Sequence, residues 1–124
     1  MEWLLLPVYP VHVENIFTGI KKYEYRKTRC RRRISGILIY ATAPTMKIVG
    51  EAEVIDIMEG TPQFVWEQTC HDAGITERYF SQYFFGRQTA VAYALGKVKK
   101  YQIPVNLYEL GIRRSPQSYL YVTR

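Results

Sequence analysis

Gly19-Ile20-Lys21-Lys22-Tyr23-Glu24-Tyr25-Arg26 fits a G-x-K-x-x-E-x-R pattern, and the elements of this chain are laid out on either side of it. Gly19 can take positive φ without a Cβ penalty, so it closes a helix and passes the chain into a strand. Glu24 and Arg26 stand two apart on that strand and share a face. Strict alternation would put Lys21 on the opposite face, so the turn after Gly19 must redirect it if all three are to line one cleft. From Arg26 to Arg33 there follow six bases (Arg26, Lys27, Arg29, Arg31, Arg32, Arg33) and no acid. The chain holds 17 Lys+Arg against 11 Asp+Glu; without this segment the balance is 11 against 11, so the whole net charge of +6 sits here. A charge that local is a footprint for phosphate groups rather than a general aid to solubility.

On the N-terminal side of the motif, Glu2 to Val8 reads as a strand stopped by Pro7 and Pro10. Pro10 suits a first helical position, and Val13, Ile16, Phe17 and Ile20 then recur with helical spacing, leaving His12, Glu14, Asn15 and Thr18 outward. On the C-terminal side, Lys22 to Thr28 continues as a strand. Ile37-Leu38-Ile39-Tyr40, within Gly36 to Ala43, reads as a strand covered on both faces. In Lys47 to Glu59 the alternation changes phase between Ala52/Val54 and Ile55/Ile57, as a β-bulge would make it do. Thr61-Pro62 and Thr76-Glu77 open two helices that stop at Gly74 and Gly86. In Gln88 to Lys99, Ala90, Ala92, Ala94 and Gly96 alternate with Thr89, Val91, Tyr93 and Leu95, which fits the tight interior of a small barrel. Ile103 to Leu107 and Ser118 to Thr123 read as two last strands. The expected fold is α+β: a small, bent, mostly antiparallel β-barrel with an N-terminal helix and an inserted helical pair.

With 124 residues, 48% of them hydrophobic, residues 1–124 suit a single domain with its own core. Cys30 and Cys70 form no C-x-x-C pair, which points to a reducing cytoplasm. The apolar run Trp3 to Val8 is too short for a membrane span, so no membrane association is expected. Cys70-His71 lacks partners at metal-ligand spacing, and neither a metal nor a cofactor is expected. Cys30 has no base in sight that would make it a nucleophile.

Gly19, Lys21, Glu24 and Arg26 resemble the signature of the ASCH domain, a member of the PUA-like superfamily of small β-barrels associated with RNA. Ile39-Tyr40-Ala41-Thr42-Ala43-Pro44, Ile48-Val49-Gly50-Glu51 and Pro116-Gln117-Ser118-Tyr119 are similar to what the family places after its motif. The resemblance covers most of the chain except Thr61 to Gly86. It implies that the motif lines a cleft between the first helix and the barrel, proposed to hold RNA or a nucleoside. Thr42 and Ser118 or Tyr119 are then candidates for the opposite wall.

Each candidate also has a plainer reading. A cation at Lys21 suits the negative end of a helix dipole, Glu24 and Arg26 suit a simple ion pair, and an arginine run suits a solvated loop. The resemblance names the motif positions, which puts the functional reading ahead. The first expectation is therefore an RNA- or nucleic-acid-binding module, with transcriptional regulation among its uses and RNA or a nucleotide-like ligand as its partner. Lys21, Glu24, Arg26, Thr42, Ser118 and Tyr119 would serve the cleft, and Arg29, Arg31, Arg32 and Arg33 the phosphates. Tyr23, Tyr25, Tyr40 and Tyr119 are candidates to stack a base. The alternative is an amidohydrolase acting on an acylated nucleoside such as N4-acetylcytidine. Some proteins of this fold do so with a lysine, a threonine and a glutamate, and Glu24 here stands where they have threonine. If the chain is an enzyme, Lys21 and Glu24 are its catalytic residues, with Glu24 polarising a water. Relatives reported to cut RNA make a ribonuclease the third reading.

Overall fold

A computed structural model describes residues 1–124. Its first strand, β1 (Glu2–Val8), sends Leu4, Leu6 and Val8 into one apolar cluster and Leu5 into another. Period-two alternation thus serves two cores at once, and β3 (Gly36–Ala41) does the same with Ile37 and Ile39 on one side and Leu38 and Tyr40 on the other. β1 and β3 pair in parallel across the crossover made by α1 (Pro10–Phe17) and β2 (Tyr23–Arg26). Pro10 occupies the start of α1, and Val13 and Ile16 are its buried residues. Ile20, expected to extend that apolar stripe, is 60% exposed. Gly19 at φ +83° turns the chain off the helix before Ile20 can join it.

β4 (Lys47–Gly60) and β5 (Ala90–Val105) form a long antiparallel pair, with register shifts between Ala52 and Val54 and again between Val54 and Asp56. The phase change read in the sequence is therefore a break in the ladder. Between these strands lies the insert, α2 (Pro62–Thr69), a short 3-10 turn at Cys70–Asp72 and α3 (Glu77–Tyr83). Thr61 and Thr76 cap the two helices, their hydroxyls accepting from the N–H of Phe64 and Tyr79. Val65, Phe80 and Phe84 of the insert pack against Tyr25, Ala90 and Ala92. The small-residue face of β5 is thus a seat for the insert and not the lining of a barrel, while Val91, Tyr93 and Leu95 enter the main core. β5 also runs unbroken to Val105, where two strands were expected.

The sheet order is β2-β5-β4-β3-β1-β6, with β6 (Leu120–Thr123) antiparallel to β1. This corrects the expected barrel: β2 and β6 are the two edges and do not pair, so the sheet is mixed and open. The amides just before β2 are engaged elsewhere, Lys21 N–H by the carbonyl of Asn15 and Lys22 N–H by that of Asp72. No helix is long and apolar enough to cross a membrane.

Candidate functional site

The turn after Gly19 brings Lys21 round to the face of Glu24. Lys21 is only 3% exposed; its Nζ donates to the carbonyl of Ala73 at 3.1 Å and lies 4.0 Å from Glu24 Oε1. The same ammonium sits 4.7 Å from the centre of the Tyr25 ring. On its other side Glu24 accepts from Arg26, with Nε 3.2 Å and Nη2 3.0 Å from Oε2. Arg26 Nη2 also donates to the carbonyl of Pro7 in β1. A cation–carboxylate–cation row is thus pinned at both ends to backbone carbonyls. Burial lowers the pKa of Lys21 below its ordinary value; Glu24 works against that shift and Arg26 adds to it.

This row opens on a cavity of about 370 Å³. Lys21, Glu24, Arg26 and Thr42, all named from the sequence, line it together. Its C-terminal wall is Pro116 and Gln117; Ser118 and Tyr119 are not among the lining residues. Tyr119 instead packs against the main core and Tyr121. Tyr9, His12, Tyr79 and Tyr83 complete the cavity. None of these four was named for it from the sequence. The only local sign is that His12 and Asn15 stand three apart on α1, where both meet the insert. His12 Nε2 is 3.1 Å from the Tyr79 hydroxyl, and the amide of Asn15 donates to the carbonyl of Gly74 at 3.4 Å. Burial lowers the His12 pKa, Lys21 and Arg26 add to that, and Glu24 opposes it. Burial also raises the phenol pKa of Tyr79 and of Tyr83, so both remain hydroxyl donors at neutral pH.

Of the tyrosines considered for stacking, Tyr25 lines the cavity but is 5% exposed, and its hydroxyl is tied to Thr69 at 2.7 Å. Burial pushes its pKa up to about 12. Tyr40 belongs to the cluster on the other side of β3. Tyr23 stacks on Tyr25 and stands edge-on to His71.

The arginine loop lies elsewhere. Arg29, Arg31, Arg32 and Arg33 border a different hollow with Val54 to Ile57, which shares no residue with the cleft. Arg29 pairs with Glu59 at 3.8 Å, and Arg32 pairs with Glu2 at 3.2 Å while lying over the Tyr121 ring. The loop backbone is tied down by two phenols: the N–H of Cys30 donates to Tyr93 Oη, and those of Arg31 and Arg32 to Tyr121 Oη. Cys30 itself is buried in the main core. With Arg26, Arg29 and Arg32 in ion pairs, three of the six bases in the run remain without a carboxylate partner: Lys27, Arg31 and Arg33.

A family model described as ASCH domain matches residues 6–103. The ASCH domain-containing ribonuclease of Zymomonas mobilis subsp. mobilis is 28% identical over 107 residues, 86% of this chain and 72% of that protein. The large ribosomal subunit protein uL22 of Ureaplasma parvum serovar 3 is 25% identical over 122 residues, 98% of this chain and 39% of that protein, so the chain spans about two fifths of that relative's length. Among solved structures, that of ASCH from Zymomonas mobilis superposes with a TM-score of 0.88 at 26% identity, covering 98% of this chain and 88% of the other.

Proposed function

Because this chain belongs to the ASCH domain family, we propose that it is an RNA-directed module whose cavity takes one nucleotide of a strand. The observation that carries this reading is the convergence of Lys21, Glu24 and Arg26, otherwise costly to bury, on one cavity of about 370 Å³. Small-ligand sites are of this kind: a few placed polar groups in a concavity of roughly 300–1,000 Å³. Thr42 and Gln117 add hydrogen-bonding groups, and Tyr79 and Tyr83 add flat faces on which a base can stack. Lys21 and Arg26 suit a phosphate or a base edge, and Glu24 holds both cations in place.

A second reading is a ribonuclease, favoured by the likeness to the Zymomonas mobilis protein of that name. In RNA cleavage by transphosphorylation the 2′-oxygen bonds to the adjacent phosphorus as a base takes its proton. The 5′-oxygen leaves with a proton from an acid. Lys21, with its lowered pKa, suits one of these proton transfers, and Arg26 suits the charge gathering on the phosphorus oxygens. The amidohydrolase alternative draws no such support, because Glu24 occupies the position of the required threonine and is engaged by Arg26.

One experiment addresses both readings. Labelled single-stranded RNA is titrated with the wild type, Lys21→Met and Arg26→Gln, and its length is followed over time. Each variant is expected to weaken binding by about tenfold, the size of one lost charge-assisted hydrogen bond. Equal binding by all three proteins would remove the cleft from RNA recognition. Cleavage by the wild type that Lys21→Met abolishes would establish the ribonuclease.

A further inference from the structure

Lys27, Arg87, Arg113 and Arg114 have no carboxylate within ion-pair distance: they are absent from every salt bridge of the molecule. All four are exposed. One of them sits against Tyr83, which lines the cavity, and a second follows it closely in the chain. Lys27 follows Arg26 directly and holds its Nζ 4.8 Å from the Tyr83 ring centre. Arg87 lies just beyond α3, four residues after Tyr83, its N–H donating to the carbonyl of Phe84. The other two stand on the C-terminal segment. Pro116 lines the cavity, and Arg114 and Arg113 precede it by two and three residues. At no more than about 3.6 Å per residue, both backbones lie within roughly 11 Å of that wall.

In the arginine loop Arg29 and Arg32 pair with Glu59 and Glu2 while Arg31 and Arg33 are likewise unpaired, but the hollow these four border is separate from the cleft. Unpaired cations gathered at a cavity's rim repel one another and are relieved by a polyanion. A free nucleoside carries no phosphate to meet them.

Resting on the RNA reading above, we propose that Lys27 with Arg87, and Arg113 with Arg114, hold the phosphates flanking the nucleotide in the cavity. The ligand is then single-stranded RNA threaded across the mouth, with one base turned into the cleft, and not a free nucleoside. A duplex would first have to extrude a base at the cost of its pairing and stacking, so a single strand is the cheaper ligand for this cleft.

The test uses a labelled single-stranded RNA with 2′-O-methyl groups, which transphosphorylation cannot cut, titrated at several salt concentrations. The proteins are the wild type, Lys27→Gln/Arg87→Gln, Arg113→Gln/Arg114→Gln and Arg31→Gln/Arg33→Gln. Each rim pair is expected to reduce the log–log salt slope by roughly 1.4, two contacts at about 0.7 counterion each on a single strand. The loop pair is expected to change it less, and unlabelled nucleosides should not displace the RNA. Rim variants that keep the wild-type slope while the loop variant loses it would overturn the proposal and leave the RNA reading standing. Displacement by a nucleoside as strong as that by the unlabelled oligomer would overturn the claim of a polymeric ligand. A wild type that binds no RNA at low salt would remove the RNA reading, and this proposal with it. The substituted side chains are exposed, so thermal melts of the variants should match the wild type and confirm that binding alone is being read.

Discussion

His12 Nδ1 is the one buried side-chain polar atom without a hydrogen-bond partner. The ring is anchored through Nε2 to Tyr79, and its pKa is lowered from 6.5, chiefly by burial and then by Lys21 and Arg26 against the pull of Glu24. Between that lowered value and 6.5 the unfolded chain binds a proton that the folded chain refuses. Stability therefore rises with pH through this window and is lost as the pH falls through it. Glu51 does not blur the effect. Burial works to raise its pKa, but hydrogen bonds from Tyr101 and Arg124 outweigh it and bring the value below 4.5, so its contribution is lost only in stronger acid. The melting temperature of the wild type should fall on acidification toward about pH 5, and that of His12→Gln should fall less. Superimposable melting profiles for the two proteins would show that His12 is not held neutral against the insert.

At the scale of elements, the insert is seated on the motif through one glycine. Gly74 has φ +67°, and a Cβ built there would stand 2.3 Å from Lys21 Cβ and 2.7 Å from Lys21 Cα. The neighbouring carbonyl, that of Ala73, accepts from Lys21 Nζ. Close approach of the 3-10 turn to Lys21 thus needs both the absent side chain and the left-handed backbone. Gly86 has φ +78° but nothing within 4 Å of its would-be Cβ. Gly86→Ala should cost about 1 kcal/mol, the backbone strain alone. Gly74→Ala adds a clash with a buried backbone and should cost about 2–4 kcal/mol. Chemical denaturation of the two variants gives the comparison, and equal losses would mean that the insert does not dock through Gly74.

Over the whole molecule, burial is uneven. Every residue of β3 is buried, between two apolar clusters. The insert depends on two helices of 8 and 7 residues and one cluster of 7 buried side chains. Helices this short are not stable alone, so the insert holds its form only while docked on Tyr25, Ala90 and Ala92. Hydrogen exchange should accordingly be slowest in β3 and at least about tenfold faster across α2 and α3. Protection of the insert equal to that of β3 would show that the two open as one unit. A separately opening insert has a functional consequence, because Tyr79 and Tyr83 form part of the cavity and would leave it together.

Most of the elements, and the polar core of the candidate site, are set by short stretches of neighbouring residues. Strand alternation, the Thr61 and Thr76 caps, Pro10 at the start of α1 and the glycine that ends it are local devices, each set by a few neighbouring residues. The motif is local too, and so Lys21, Glu24 and Arg26 were legible together, including the need for Gly19 to turn Lys21 round. What faces them is fixed by long-range packing. His12 and Tyr79 are 67 residues apart, and no period in either segment specifies the other as its partner. The same holds for Arg29 with Glu59 and Arg32 with Glu2, pairings that neutralise part of a charge run which composition shows only as a sum. The alternating small residues of β5 suit a barrel lining equally well, because alternation states which face is small and not what packs there, and it is the insert that packs there. That the sheet stays open, with β2 and β6 as its edges, follows from the order of all six strands, which no single segment specifies.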